Sequence, residues 1–193
     1  ENGASIIMLP MARTPAEVET FLKQVRGRAK TLVQIETAEL AEQCASLQQL
    51  GWDYAFIGLN DLMISRGGHW LWEPLYDGTV EKIFSALPGR QLGFGGITAI
   101  GGGHPLPFVE LLREFSRLRV SFSFMRRTFH RELVGRDVGA ELAAVQAVWK
   151  ASNLRSPAAV ETDHRSFQAL LTLLRASAVG SIRENTALPF SGP

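Results

Sequence analysis

Asp53-Tyr-Ala-Phe-Ile-Gly-Leu-Asn-Asp-Leu-Met-Ile-Ser65 decides how this chain is read. Tyr54 to Ile57 is a short aromatic and aliphatic run, the pattern of a strand covered on both faces. It enters Gly58, where the missing side chain is expected to let the backbone turn closely. The chain then delivers Asp61, a carboxylate that a plain turn does not need. In parallel α/β folds the groups that follow the C-terminal ends of the strands build the functional site. Asp61 is a candidate for such a site if the surrounding sequence alternates strand and helix.

It does. Upstream, Ser5 to Leu9 reads as a strand stopped by Pro10. Thr14-Pro-Ala-Glu17 opens a helix with a cap residue, a proline at the first turn and a glutamate three residues on. Thr31 to Ile35 is the second strand, and Ala38 to Leu50 the next helix, closed by Gly51. Downstream, Gly67 to Gly78 reads as a loop containing Trp70, Trp72 and Tyr76, followed by a helix over about Thr79 to Leu87. Gln91 to Phe94 is a fourth strand that runs into a glycine-rich loop, Gly95 to Gly103. A helix over Pro107 to Ser116, a fifth strand over Arg119 to Phe124, and helices over Asp137 to Ala151 and about Glu161 to Ala176 complete the reading. About five βα units imply a parallel sheet with both faces covered. A closed eight-unit barrel takes about 250 residues, more than the 193 here. Two arrangements stay open: a doubly wound open sheet, or the later units of a (β/α) TIM-type barrel.

Composition limits the function classes. With 46% hydrophobic and 20% charged residues the chain is an ordinary globular sequence, and its net charge of +1 gives no electrostatic case for nucleic acid or a membrane surface. The single cysteine, Cys44, excludes an internal disulfide and suits a small buried apolar position between Leu40 and Leu47. No apolar run approaches the ~20 residues of a membrane span, and a cytoplasmic setting is expected.

The strand ends present Glu36 after the second strand and Asp61 after the third. If these strands are neighbours, two carboxylates lie side by side, which is costly unless one is protonated or a cation sits between them. Oxygen donors of this kind suit Mg²⁺ or Mn²⁺, with waters and substrate completing the shell. Each residue alone also has a structural reading: Asp61 as cap of the turn Leu62 to Ser65, Glu36 as a first-turn acid of the following helix.

Leu32-Val-Gln-Ile-Glu-Thr37 followed by Ile57-Gly-Leu-Asn-Asp-Leu62, preceded by Ile7-Met-Leu-Pro-Met11 and Thr14-Pro-Ala-Glu-Val18, resembles the HpcH/HpaI aldolase and citrate lyase family over roughly residues 3 to 135. The resemblance implies a barrel of the phosphoenolpyruvate/pyruvate type, entered just before its fourth strand. It implies that Glu36 and Asp61 are the protein ligands of a divalent metal. Gln34 would contact the metal-bound 2-oxo acid or its water, and the backbone around Gly58, Asn60 and Asp61 would hold the substrate carboxylate. The implied activity is metal-dependent carbon–carbon bond cleavage or formation through a pyruvate enolate. The family's enolate-stabilising arginine and its acid/base histidine belong to earlier strands and have no counterpart among these residues. The alternatives are a non-catalytic binding or assembly subunit derived from the family, and a citrate-lyase-like enzyme acting on an acyl-CoA.

Three further expectations follow. The glycine-rich loop together with Arg126 and Arg127 is a candidate anion site, since phosphate sites often form after the last two strands of a barrel; a flexible loop with solvated arginines is the simpler account. His104, in that loop, is a weak candidate acid/base, whereas His69, His130 and His164 show no metal-ligand spacing. The aromatics Trp70, Trp72 and Tyr76 suit a lid, a subunit contact or packing on the barrel's own helices. A partial barrel over residues 1–135 and a helical extension over 136–193 are the expected domains. The extension suits a homo-oligomer, and the exposed strand edges call for a partner that supplies the missing strands.

Overall fold

The computed structural model describes residues 3–186 of the chain, with side chains described as far as residue 178. Four strands, β1 (Ile6–Leu9), β2 (Lys30–Ile35), β3 (Tyr54–Ile57) and β4 (Leu92–Phe94), pair in parallel in the order β1-β2-β3-β4. A doubly wound sheet reverses its strand order at a switch point. This sheet adds each strand beside the last without reversal, as a (β/α) barrel does. The register, Val33 with Ala55 and Ile57 with Phe94, brings the C-terminal ends of β2, β3 and β4 to one rim.

The helices cover the outer face. α1 (Pro15–Val25) follows β1 and begins with a complete capping box: Glu17 N–H donates to Thr14 Oγ1 at 3.3 Å and Thr14 N–H to Glu17 Oε2 at 3.4 Å. α2 (Ala38–Glu42) follows β2 and passes at Gln43 into a 3-10 helix, Cys44–Gln49, where one long helix was expected. Cys44 and Leu47 are three residues apart, a spacing that faces the core in either helix type, so the apolar pattern did not distinguish them. α3 (Leu59–Ser65) follows β3, the expected loop carries one helical turn, α4 (Glu73–Tyr76), and α5 (Thr79–Ala86) leads to β4. α6 (Phe108–Leu118), α7 (Phe129–Glu132), α8 (Val138–Asn153) and α9 (Pro157–Thr186) complete the chain. Val33, Ile35, Ala55, Ile57, Leu92 and Phe94 point outward into a core shared with Leu40, Leu62, Ile83, Leu111 and Phe115, and α9 adds Phe167 and Leu171 to it. Residues 187–193 of the expected extension lie outside the described residues.

The expected fifth strand is not a strand. Arg119 to Phe124 runs alongside β4 but makes only isolated parallel bridges, Gly93 with Phe122 and Ile97 with Met125. The cause lies in its neighbour. β4 stops after three residues because Gly95 and Gly96 turn the chain, Gly96 at φ 150°, and no regular ladder survives beyond them. Gly93 has no room for a side chain, since a Cβ there would run into the Phe122 carbonyl.

The inner face of the sheet is half filled. Tyr54, Phe56, Phe122 and Phe124 form an aromatic stack, with Phe56 and Phe124 centroids 4.4 Å apart and Tyr54 meeting Phe122 edge-on at 5.7 Å. At the β1 end none of the described residues covers the sheet: Ile6 is 50% and Met8 42% exposed. Among the described residues β1 has no partner on its far side.

Candidate metal and oxo-acid site

The inner face and the rim enclose a cavity of about 520 Å³. Gln34, Glu36, Gly58, Asn60, Asp61, Arg126 and Arg127 all line it, so the sequence-derived candidates from three separate segments converge. Strand alternation explains the first two, since Leu32, Gln34 and Glu36 follow one another on the inner side while Val33 and Ile35 face the helices.

Glu36 directly follows β2 and is 3% exposed. It is not in a helix: Thr37 is the cap of α2 and accepts from Leu40 N–H. Its Oε1 accepts the Met11 N–H at 2.8 Å. Met11 reaches it in the left-handed region, at φ 55°, which is costly for a residue with a long side chain. Gly58 is needed for a reason other than turning. Its φ is −80°, open to any residue. A Cβ at Gly58, however, would lie 2.6 Å from Glu36 Oε2 and 2.8 Å from Glu36 Cβ. The glycine makes room for the carboxylate of the neighbouring strand.

Asp61 is in the first turn of α3, at its third residue, and caps nothing. Its Oδ1 accepts weakly from Asn60 Nδ2, at 3.4 Å. Burial pushes the Glu36 carboxyl above the ordinary carboxylate range, the Met11 hydrogen bond opposes this, and the nearby charge of Asp61 adds to the rise. Among the described residues neither acid has an ion-pair partner, although arginines line the same cavity. Two uncompensated acids, one buried with a close-approach glycine behind it, fit a hard divalent cation. No described group of three or more acidic, histidine or cysteine side chains forms a cation site. A cation held here would have two protein carboxylates and would need its remaining ligands from elsewhere.

The other candidates divide. Arg126 and Arg127 reach the cavity, and Arg131, which sequence reasoning passed over, joins them from α7. The signal was present, since Arg131 lies one helical turn beyond Arg127. Arg126 lies over Trp72, 5.9 Å from the ring centroid. Trp72 is buried and forms part of the cavity wall. His104 is not with the carboxylates; it lines a neighbouring cavity. The glycine-rich loop does bind anions through its amides, but the anions are the protein's own. Ala99 N–H donates to Glu132 at 2.8 Å and Ile100 N–H to Glu141 at 3.2 Å. Only its first residues, Gly95 and Gly96, touch the cavity. Thr128 Oγ1, also at the cavity, is buried with no hydrogen-bond partner among the described residues.

No protein-family model matches the chain, and no curated protein matches it. Solved structures do. RipC from Yersinia pestis aligns with TM-score 0.55 at 13% identity, over 81% of this chain and 66% of that one. Macrophomate synthase aligns with TM-score 0.53 at 15% identity, over 77% and 60%. An HpcH/HpaI aldolase/citrate lyase family protein from Burkholderia cenocepacia J2315 aligns with TM-score 0.50 at 15% identity, over 76% and 65%. The chain spans 60% to 66% of these proteins' own length. At such identities the likeness is one of fold, and this chain has part of the (β/α) barrel fold of the HpcH/HpaI aldolase and citrate lyase structures.

Proposed function

We propose that this chain carries the metal and oxo-acid half of a barrel lyase that cleaves or forms a 2-oxo acid aldol. The observation that carries the reading is the convergence of Glu36 and Asp61, neither ion-paired among the described residues, on a cavity that also holds Gln34 and three arginines. Glu36 and Asp61 would hold Mg²⁺ or Mn²⁺, which supplies Lewis acidity toward the carboxylate and 2-oxo oxygens of a bound acid. Gln34, on the inner face of β2, offers an amide donor to the oxo group. The amides of Asn60 and Asp61, at the start of α3 where helical partners are lacking, suit the substrate carboxylate. Arg126 and Arg127 add positive charge at the far wall and favour a substrate of net negative charge.

In the cleavage direction the C3–C4 bond breaks and its electron pair is delocalised onto the 2-oxo oxygen. The C4 hydroxyl loses its proton to become an aldehyde, and C3 takes up a proton to give pyruvate. The described cavity contains no histidine to move those protons, and the family resemblance places that group on earlier strands of the barrel. We infer that further strands, set against the free edge of β1 and the exposed Ile6 and Met8, complete both the barrel and the proton-transfer machinery. The absence of a histidine from the described lining also favours a second reading, a binding subunit that holds metal and oxo acid without turning it over.

The deciding experiment is calorimetry of Mg²⁺ and Mn²⁺ binding, with and without pyruvate or oxaloacetate, on wild type, Glu36→Ala and Asp61→Ala. Metal binding tightened by the oxo acid and abolished in both variants supports the site. A folded wild-type chain that binds no metal removes it. Turnover of an aldol alongside binding separates the lyase from the binding subunit.

A further inference from the structure

The candidate site has a neighbour. A second cavity, of about 390 Å³, is lined by Trp70, Leu71, Trp72, His104 and Pro105 on one side and by Leu174 and Ser177 of α9 on the other. It meets the metal cavity at Leu71, Trp72 and Arg126, which line both. Its walls are mainly apolar: two indoles, two leucines and a proline. Its one arginine, Arg126, stands at the boundary between the two cavities and has no carboxylate partner among the described residues.

The wall is held in place. Trp70 meets Tyr76 edge-on, with centroids 6.1 Å apart. Tyr76 is covered in turn by Arg175 of α9, at 4.8 Å, and Arg175 is anchored to Glu73 at 3.3 Å. Two indoles, two leucines and a proline, with only His104, Arg126 and Ser177 as polar side chains, offer few hydrogen bonds to a small polyhydroxylated fragment in return for its lost water. It favours a flat apolar group, which gains by leaving water and by contact with aromatic faces. Both cavities fall within the range of about 300–1,000 Å³ usual for ligand sites.

Resting on the oxo-acid reading of the first cavity, we propose that the second receives the distal half of the substrate. That half is an aromatic or comparably flat apolar group. The substrate class is then a 2-oxo acid whose chain carries an aryl substituent beyond C3, the aldol of pyruvate with an aromatic aldehyde. Arg126, at the junction, is placed to donate to the oxygen on the carbon that joins the two halves.

The test compares two ligands on one site. Pyruvate and 2-oxo-4-phenylbutanoate, a stable acid with the same head and a phenyl tail, are titrated calorimetrically in the presence of Mg²⁺. The proteins are wild type and Ser177→Trp. Among the described residues Ser177 donates only to the Leu173 carbonyl of its own helix, and the larger side chain fills the second cavity from a surface position. Wild type is expected to bind the phenyl acid about tenfold or more tighter than pyruvate, the net of tail burial and ordering costs. Ser177→Trp removes that advantage and leaves pyruvate affinity unchanged. Equal affinities in wild type overturn this inference and leave the oxo-acid site standing. An advantage that survives in Ser177→Trp places the tail elsewhere and also overturns it. Failure to bind either acid removes the oxo-acid site and this inference with it.

Discussion

Glu36→Gln should make the protein more stable and less able to hold a metal. Glu36 is 3% exposed and has no cationic partner among the described residues. Burial raises its carboxyl above the ordinary range, with Asp61 adding to the rise. For an acid so shifted, the folded state holds the proton more tightly than the unfolded state. Its favourable contribution is full below the unfolded pKa and is lost as pH rises through the folded one, so at neutral pH the ionised group works against folding. Glutamine keeps the shape and an oxygen for the Met11 N–H, 2.8 Å away in wild type. It removes the buried charge and the repulsion from Asp61. Against this stands the weaker hydrogen bond to a neutral acceptor, a loss of about 1 kcal/mol. A net gain of roughly 1 kcal/mol at pH 7 is expected, or about 2–4 °C in Tm for a chain of this size. The gain should shrink as pH falls through the folded pKa of Glu36, where wild type becomes neutral too. Thermal melts of both proteins across pH, in chelator and in Mg²⁺, test this. Mg²⁺ at about 100 times its Kd should add about 2.7 kcal/mol to wild type and almost nothing to the variant. A Glu36→Gln protein that is less stable than wild type in chelator at neutral pH refutes the electrostatic reasoning. Equal stabilisation of both proteins by Mg²⁺ refutes the ligand assignment.

Gly58→Ala should cost about 1–3 kcal/mol, because the added Cβ overlaps the Glu36 carboxylate and must displace it; denaturant melts read the loss, and metal affinity should fall with it. Glu114→Ala leaves Arg117, which it grips at 2.7 Å beneath α9, without its buried partner. Arg117 keeps Glu81 at 2.8 Å, so a loss of about 1–3 kcal/mol is expected, with amide exchange in α9 accelerated because His164 of that helix also contacts Glu114. Asp53 carries a pH-dependent staple at the opposite end of the sheet. Burial pushes its carboxyl up, but hydrogen bonds from Lys30 and Thr31 outweigh this and hold it below the ordinary range. Asp53→Asn should cost about 1–2 kcal/mol at neutral pH, chiefly through the Thr31 bonds. The cost should vanish as pH falls through the folded pKa of Asp53, and a pH-independent difference would count against the assignment.

What the sequence made legible follows from where each signal is stored. Helix starts with local chemistry were readable. Thr14-Pro15 with Glu17 gave α1, and the structure shows both bonds of its capping box. The same logic applied to Ser156-Pro157 would have started α9 four residues before the expected Glu161, since Ser156 Oγ accepts the Ala159 N–H there. The strand order, which decides between open sheet and barrel, is a property of pairing between segments, and no single segment encodes it. The missing fifth strand has the same origin: Arg119 to Phe124 has strand composition, but its ladder depends on β4, which Gly95 and Gly96 cut short.

The candidate site divides along the same line. Glu36 and Asp61 were visible because residues at the ends of strands in a parallel sheet converge whatever the details of packing. The role of Gly58 was not, because it concerns the side chain of a neighbouring strand and not the backbone angle of its own residue. The glycine-rich loop shows the limit most clearly. Free amides and a nearby arginine pair do predict an anion, yet sequence cannot say whose. Glu132 and Glu141, more than thirty residues downstream, occupy the amides of Ala99 and Ile100. The positive charge at the cavity therefore rests on arginine side chains and not on loop amides. Anion selectivity at this site should follow substitutions at Arg126, Arg127 and Arg131 and be indifferent to Gly101→Ala, where an added Cβ meets nothing within 4 Å.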